Sequence, residues 1–600
     1  MIQQSILHQL KFAAENFPKR PALFSETKLI ANHFELYSNT CKIRYLLHKQ
    51  YGISKVDRVA LCFPNGSSMA KALLAVSTSA IAVPMNPKFT EAEFEAYFLR
   101  TGTTQLIYDQ EYGHPAATIA RRLGIPNLEF RSLERFSYKL NEDFSDLEAF
   151  PEAEDVALIL MTSGSTGMPK TVPLTHKNIC QSVFDITKSL ELSEQDRCLC
   201  MWKQFHIGGL VDLLLAPISQ GGCVLAAHQF DVSTFFRIIK DWSATWFQGV
   251  PTIYSDILFE AEQKSLSGTY PCLRFLRSVA ARLEPDLQEK LSNYFYVPVI
   301  QTYGMTEAGP LISSTDLGGT SPIGSVGKST GTEIRIIDEK NNDCLPNEIG
   351  AIAIRGANVF KSYENDPQAN ASSFLDGWFL TGDLGNLDKS GHLFLNGRSK
   401  DLVNRGGEKI NPEEVESALR QHPQIKEVSV FSIPHSTLGE DVAAAIVYNQ
   451  QNSLSRSDIS LFLSDHIAEF KIPRFILELK KLPRNAIGKI DKEALRAKAE
   501  KYKKKDSVVV LPKTPIEKAI VRIWIEVLEI EQICIHDNFF DLGGNSLLAI
   551  RAQSRIRDIF EVDIPLRELF EFPTIEKLAG QIETLCFTDA IGQEREQGAL

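Results

Sequence analysis

Nine residues, Thr162–Lys170 (TSGSTGMPK), constrain this chain more than any other stretch. They set hydroxyls, glycines and a lysine directly behind an apolar run, Val156–Met161, that reads as a buried strand. Gly164 and Gly167 reach positive φ cheaply and let backbone N–H groups come close to an anion. Thr162, Ser163, Ser165 and Thr166 add hydroxyl donors, and Lys170 adds a charge. The composition asks for a polyphosphate. A loop of the form G-x-x-x-x-G-K-[ST] would be satisfied by Gly164, Lys170 and Thr171 if residue 169 were glycine. It is Pro169, which has no N–H to donate and fixes its own φ, so the backbone nest of that loop is disfavoured.

Six hundred residues are too many for one core and imply three to five structural units at roughly 100–200 residues each. No stretch has the length and character of a signal peptide or a membrane span, which makes a cytoplasmic protein the expectation. Of the ten cysteines only Cys198 and Cys200 lie close together, with no second pair or histidine at metal-ligand spacing, so reduced thiols are expected and a zinc site is not. The net charge of −11 is uneven: from Thr514 to Leu600 there are 16 Asp and Glu against 8 Lys and Arg. An acidic C-terminal module repels nucleic acid and suits partners with basic patches.

Along the first 155 residues strand and helix candidates alternate: Val56–Phe63, then Ser67–Ala80 with helical spacing, then AIAVPMNP stopping at its prolines. Such alternation favours a mainly parallel sheet with helices on its faces. Thr175 can cap a helix on which Ile179, Val183, Ile186 and Leu190 share a face, so the glycine loop is expected between a strand and an amphipathic helix. Beyond residue 398 the character changes to α+β, with strands expected at 427–434 and 441–448 and a charged helix between Ser455 and Phe470. Residues 501–513 read as a lysine-rich solvated linker, and Thr514-Pro515-Ile516-Glu517 as a capping box that opens a helix.

TSGSTGMPK resembles the phosphate loop of the adenylate-forming superfamily, which includes acyl-CoA synthetases, aryl-acid ligases and nonribosomal peptide synthetase adenylation domains; the usual final glycine is Thr171 here. QTYGMTEAG (301–309), WFLTGDLG (378–385), the segment from Arg398, and LPRNAIGKIDK around Lys489 match further motifs of that superfamily in order. The resemblance implies ATP and Mg²⁺ as cofactors. It assigns Tyr303 to adenine stacking, Thr306 to an α-phosphate oxygen, Glu307 to Mg²⁺, and Asp383 with Arg398 to the ribose. Lys489 would stabilise charge at the carboxylate and α-phosphate, and Lys400 would be the hinge of a mobile lobe whose Gly406 and Gly407 approach a thiol tunnel. Chemically these types suit those tasks: a ring face for a base, hydroxyls for phosphate oxygens, and a carboxylate for hard Mg²⁺.

The segments around 244–258 and 273–285 resemble oxalyl-CoA-synthetase-like acyl-acid ligases, and His206, Gln248, Val279, Ala280 and Gly304 are the implied pocket residues. Amino-acid-activating relatives usually carry aspartate where His206 stands, so the substrate is expected to lack an α-amino group, although Asp212 could serve a differently placed amine. Val279 and Ala280 replace small glycines and should narrow the pocket toward a small or flat acid, while Arg282 is expected to be exposed. DNFFDLGGNSLLAIR (537–551) resembles the attachment motif of acyl and peptidyl carrier domains, which implies 4′-phosphopantetheine on Ser546, installed by a phosphopantetheinyl transferase.

The expectation is therefore an α/β adenylation domain (1–397), a small mobile α+β C-terminal lobe (398–500), a linker (501–513), an all-α four-helix carrier (514–585) and a tail (586–600). An acyl-adenylate would form and pass to the chain's own carrier thiol, with a separate downstream enzyme accepting the acyl group. Free CoA as acceptor, a catalytically inactive docking scaffold, and a P-loop NTPase are the alternatives.

Overall fold

The computed structural model describes residues 3–134, 150–162, 169–264, 270–435, 438–449, 454–484, 490–506, 512–528, 530, 533–535, 537, 539–540, 542 and 546–585. The chain divides into two compact units, Met1–Lys400 and Asp401–Leu600.

Among the described residues the first unit contains three sheets. In the six-stranded sheet Asn127–Glu129, Gln105–Tyr108, Arg58–Cys62, Ile81–Met85 and Val156–Thr162 run parallel, and Lys170–Thr175 closes one edge antiparallel. These strands read as continuous apolar runs because helices such as Ser67–Ser77 and Glu91–Thr101 cover them, and Val59, Ala60, Leu61, Ala82, Val83, Leu106 and Ile107 lose all contact with water. The nine-stranded sheet has parallel neighbours at its centre, among them Arg197–Cys200, Trp246–Gly249, Phe275–Ser278 and Val299–Tyr303. A five-stranded antiparallel sheet includes Gly350–Arg355, Trp378–Leu387 and Leu393–Arg398.

One expectation about the glycine loop is corrected. A strand, Lys170–Thr175, stands between the loop and the helix, and Thr162 and Lys170 are partners across an antiparallel pair. Val172 and Leu174 alternate inward from the strand Lys170–Thr175, which is the pattern of a strand lying on a core. The helix starts one strand later, at His176, where Thr175 caps it as expected. Its Oγ1 accepts the Asn178 N–H (3.2 Å) and the Asn178 side chain accepts the Thr175 N–H (2.9 Å). Ile179, Val183, Ile186 and Leu190 then face the core.

In the second unit the strands Ile425–His435 and Gly439–Tyr448 pair antiparallel through ten residue partners, and Phe475–Glu478 adds parallel to the latter. The charged helix is shorter than expected, Arg456–Ser464, followed by a separate 3₁₀ turn Glu469–Lys471. The linker expectation also needs correction, since a helix runs from Lys492 to Asp506 and covers residues 501–506. Leu495 and Ala499 bury themselves against Phe431, Ile433 and Leu482, which gives the lysine-rich segment an apolar anchor. The last part of the unit is helical: Pro515–Leu528, Ser546–Phe560, Leu566–Glu571 and 575–585, around a core of Ile520, Trp524, Phe539, Ile556, Leu569 and Leu578. Thr514 and Glu517 exchange the expected capping hydrogen bonds (3.1 and 2.9 Å). No described helix is long and apolar enough to cross a membrane, and every described cysteine is unpaired.

Candidate active site

The parallel strands of the nine-stranded sheet end together at their C-terminal edge, the place where open α/β sheets offer a crevice. Tyr303 is the last residue of its strand and is almost fully buried. Its hydroxyl donates to Asp383 Oδ2 at 2.6 Å, and burial, reinforced by the Asp383 carboxylate, holds that hydroxyl well above its ordinary range. Asp383 lies on the antiparallel sheet directly opposite Arg398, and this register brings Arg398 Nε to 2.9 Å from Asp383 Oδ1. The Arg398 side chain is 58% exposed, so it presents charge to solvent. Gly304, next to Tyr303, has no room for a side chain: a Cβ would run into the Pro310 carbonyl oxygen.

Thr306 and Glu307 sit in the short 3₁₀ turn Thr306–Ala308. Glu307 is 6% exposed, accepts a hydrogen bond from Tyr363 Oη at 2.9 Å, and pairs with no cation among the described residues. Burial pushes its carboxyl up against the pull of Tyr363, Lys170 and Arg398. A desolvated carboxylate lacking a counter-ion is suited to a hard divalent cation, so the donor set fits Mg²⁺. Lys170 stands 4.1 Å above the face of the Tyr363 ring. Burial and the neighbouring Lys400 lower its ammonium, a strain that an anion beside it would relieve.

The pocket residues divide. Gln248, on Trp246–Gly249, is fully buried: it accepts from Arg277 Nη1 (2.6 Å) and donates to Asp212 Oδ2 (3.3 Å), while Arg277 and Asp212 pair at 2.8 Å. Burial pushes the Asp212 carboxyl up, against Arg277 and Gln248, which pull it back. Asp212 belongs to Gly208–Leu215, which winds as a π-helix, a form common at functional sites. A Cβ on Gly208 would meet Asp212 Oδ2 at 3.1 Å and Gln248 Nε2 at 3.3 Å. Asp212 is thus spoken for by Arg277 and is no counter-ion for a substrate amine, which corrects that possibility. The His206 ring packs on Phe205 (4.7 Å between centroids). Val279 is half-buried, and its N–H donates to the Gly249 carbonyl (3.1 Å). Ala280 is exposed at φ +66°, a left-handed conformation that glycine adopts at lower cost, and Arg282 is exposed as expected.

The structure brings together Tyr303, Asp383 and Arg398 in one group and, through Tyr363, Glu307 and Lys170 in another, with Thr162 paired opposite Lys170. Ser163, Gly164, Ser165, Thr166, Gly167 and Lys489 lie outside the described residues. In the second unit Gly406 and Gly407 have φ of +60° and +98°, and Ser546 opens its helix. Sequence reasoning missed Arg277 and Tyr363. Arg277 left a trace, since a charge inside the strand FLRS and another inside the apolar GGLVDLLL invite pairing. Tyr363, in a polar turn, left none.

Residues 10–364 match the family model described as AMP-binding enzyme. The chain belongs to the AMP-binding enzyme family. In this AMP-binding enzyme, residues 414–489 match the family's C-terminal domain and 518–582 match the phosphopantetheine attachment site. An oxalate–CoA ligase of Arabidopsis thaliana is 37% identical over 495 residues, covering 80% of this chain and 96% of the relative. Among solved structures, ATP-bound MatB from Rhodopseudomonas palustris is similar at TM-score 0.76 with 25% identity (83% of this chain, 99% of that one). The o-succinylbenzoate CoA synthetase MenE from Bacillus subtilis, in complex with ATP and magnesium ion, is similar at TM-score 0.72 with 29% identity (83% and 99%). This AMP-binding enzyme is an acid–thiol ligase that uses ATP and carries a phosphopantetheine attachment domain.

Proposed function

We propose that this chain activates a carboxylic acid lacking an α-amino group as its acyl-adenylate and loads it onto the phosphopantetheine thiol of its own Ser546. The observation that carries the reading is covalent: the AMP-binding segments and the phosphopantetheine attachment site share one chain. The tether raises the local thiol concentration to about the millimolar range. Tyr303 stacks on adenine, Asp383 and Arg398 take the ribose hydroxyls, and Thr162, Ser163, Gly164, Ser165, Thr166, Gly167 and Lys170 hold the β- and γ-phosphates. Thr306 contacts an α-phosphate oxygen. Glu307 holds Mg²⁺, which when bound offsets phosphate charge. Lys489 stabilises the charge that develops as the carboxylate attacks the α-phosphorus and pyrophosphate leaves. The lobe after Lys400, where the two compact units meet in sequence, then turns to admit the thiol, with Gly406 and Gly407 at its approach.

Two observations favour an acid without an α-amine. His206 offers no fixed negative charge, and Asp212 is already neutralised by Arg277. The unpaired cysteines fit a reducing cytoplasm. In this reading a phosphopantetheinyl transferase primes Ser546 and a separate enzyme takes the acyl group from it. Acid-stimulated exchange of pyrophosphate into ATP, screened over a panel of acids, tests the first half-reaction; release of orthophosphate in place of AMP with every acid would refute it. A second reading, free CoA as acceptor, is favoured by the relatives named as CoA ligases. Acyl transfer by Ser546→Ala with added CoA separates the two: full turnover supports CoA, and loss of all transfer supports the carrier.

A further inference from the structure

Tyr363 is held from every side. The Asn370 side chain donates to its carbonyl and accepts from its N–H, both at 2.8 Å. The next residue, Glu364, donates its N–H to the Thr171 carbonyl (3.0 Å) and forks onto Arg58 through both carboxylate oxygens. The ring packs edge-on against Phe360, 4.8 Å between centroids. Neighbours thus pin the backbone on both sides of the side chain and pack its ring, which sets the direction from which it meets its own partners.

It holds two groups of opposite charge. Its hydroxyl donates to Glu307 Oε1 at 2.9 Å, while the Phe360 N–H from the same segment donates to the Glu307 carbonyl, also at 2.9 Å. Its ring face carries Lys170 Nζ at 4.1 Å. Lys170 and Glu307 feel each other's charge yet form no direct ion pair. A direct pair would spend both groups on each other, leaving neither the cation for phosphate nor the carboxylate for metal.

Resting on the adenylation reading above, we propose that Tyr363 is a positioning residue. Its hydroxyl engages one oxygen of Glu307 and leaves the carboxylate's remaining valences to the metal, and its ring keeps Lys170 off Glu307 so that the ammonium stays available to the nucleotide phosphates.

The test uses the full chain and two equilibrium measurements: Mn²⁺ binding, as a spectroscopic stand-in for Mg²⁺, with a non-hydrolysable ATP analogue present, and analogue binding in chelator without metal. Tyr363→Phe keeps the ring and loses the hydroxyl. It should weaken Mn²⁺ about 10–100-fold, the usual cost of losing a partner that orients a metal-ligating carboxylate, and leave metal-free analogue binding within about twofold of wild type. Tyr363→Leu loses both contacts and should weaken metal-free binding as well. Adding Glu307→Gln to that variant removes the competing anion and should restore metal-free binding. Wild-type Mn²⁺ and analogue affinities in both single variants would overturn the proposal. So would a Tyr363→Leu defect that Glu307→Gln does not rescue, since that marks a packing role alone. Failure of the wild-type chain to bind the analogue at all would instead overturn the adenylation reading and take this proposal with it.

Discussion

Arg277 and Asp212 pose the sharpest question for single residues, because two charges sit where water cannot reach. Their pairing at 2.8 Å, with Gln248 bridging both, is the kind of arrangement whose disruption costs far more than its formation gains. Asp212→Ala should leave a buried guanidinium uncompensated and destabilise the first unit by about 3–5 kcal/mol. The double variant Asp212→Leu with Arg277→Met should recover most of that loss. Chemical denaturation of the three proteins checks this, and a double variant no better than the single would show that the loss does not come from an uncompensated guanidinium. The residue types expected to take the nucleotide were legible one by one: Tyr303, Glu307, Asp383 and Arg398 all stand in recognisable strings. The pair beneath Gly208 was not, since its partners are 65 positions apart and only the neighbouring of Trp246–Gly249 with Phe275–Ser278 brings Gln248 alongside Arg277.

Among elements, the helix His176–Ser189 ties distant parts of the first unit together, reaching Ile6, Ala357 and Val359. Its first residue, His176, is buried and accepts the Ile6 N–H at Nδ1 (3.3 Å), so it also fastens the N-terminal helix Ile6–Asn16. Burial lowers the His176 pKa from 6.5 to about 4. The folded pKa lies below the unfolded one, so the folded state binds fewer protons across that window. The stability this group contributes is present above pH 6.5 and is lost as pH falls through 4. Amide exchange in Ile6–Asn16 should therefore quicken from pH 6.5 toward 4 beyond its intrinsic pH trend, and His176→Gln should abolish that dependence. Identical profiles in both proteins would remove His176 from the account. Thr175 and the apolar spacing behind it announced this helix. The strand before it was missed because Lys170–Thr175 is six residues with a central proline, and a proline is tolerated there only because the strand is the sheet's edge. That strand denies the glycine loop a helix N-terminus directly behind it, which adds a structural reason to Pro169 for setting aside a P-loop.

On the scale of the whole molecule, two kinds of chemistry are joined through a boundary at Lys400 and a helix, Lys492–Asp506, that anchors the lysine-rich stretch. If the carrier is a substrate of the enzyme and not a support for its fold, removing residues 514–600 should leave acid-dependent pyrophosphate exchange within about twofold and abolish self-acylation seen by mass. Loss of exchange on truncation would mean that the carrier stabilises the adenylating part. Motif order, family and the presence of a carrier were determined by the sequence itself, because nucleotide and thiol chemistry demand particular side chains at short, local spacings that survive as strings. Tertiary structure alone decided that Asp212 is neutralised, that a strand follows the glycine-rich loop, and that one tyrosine contacts both Lys170 and Glu307. Those are consequences of which strands become neighbours and which charges lose their water, and neither is written in any local window of the chain.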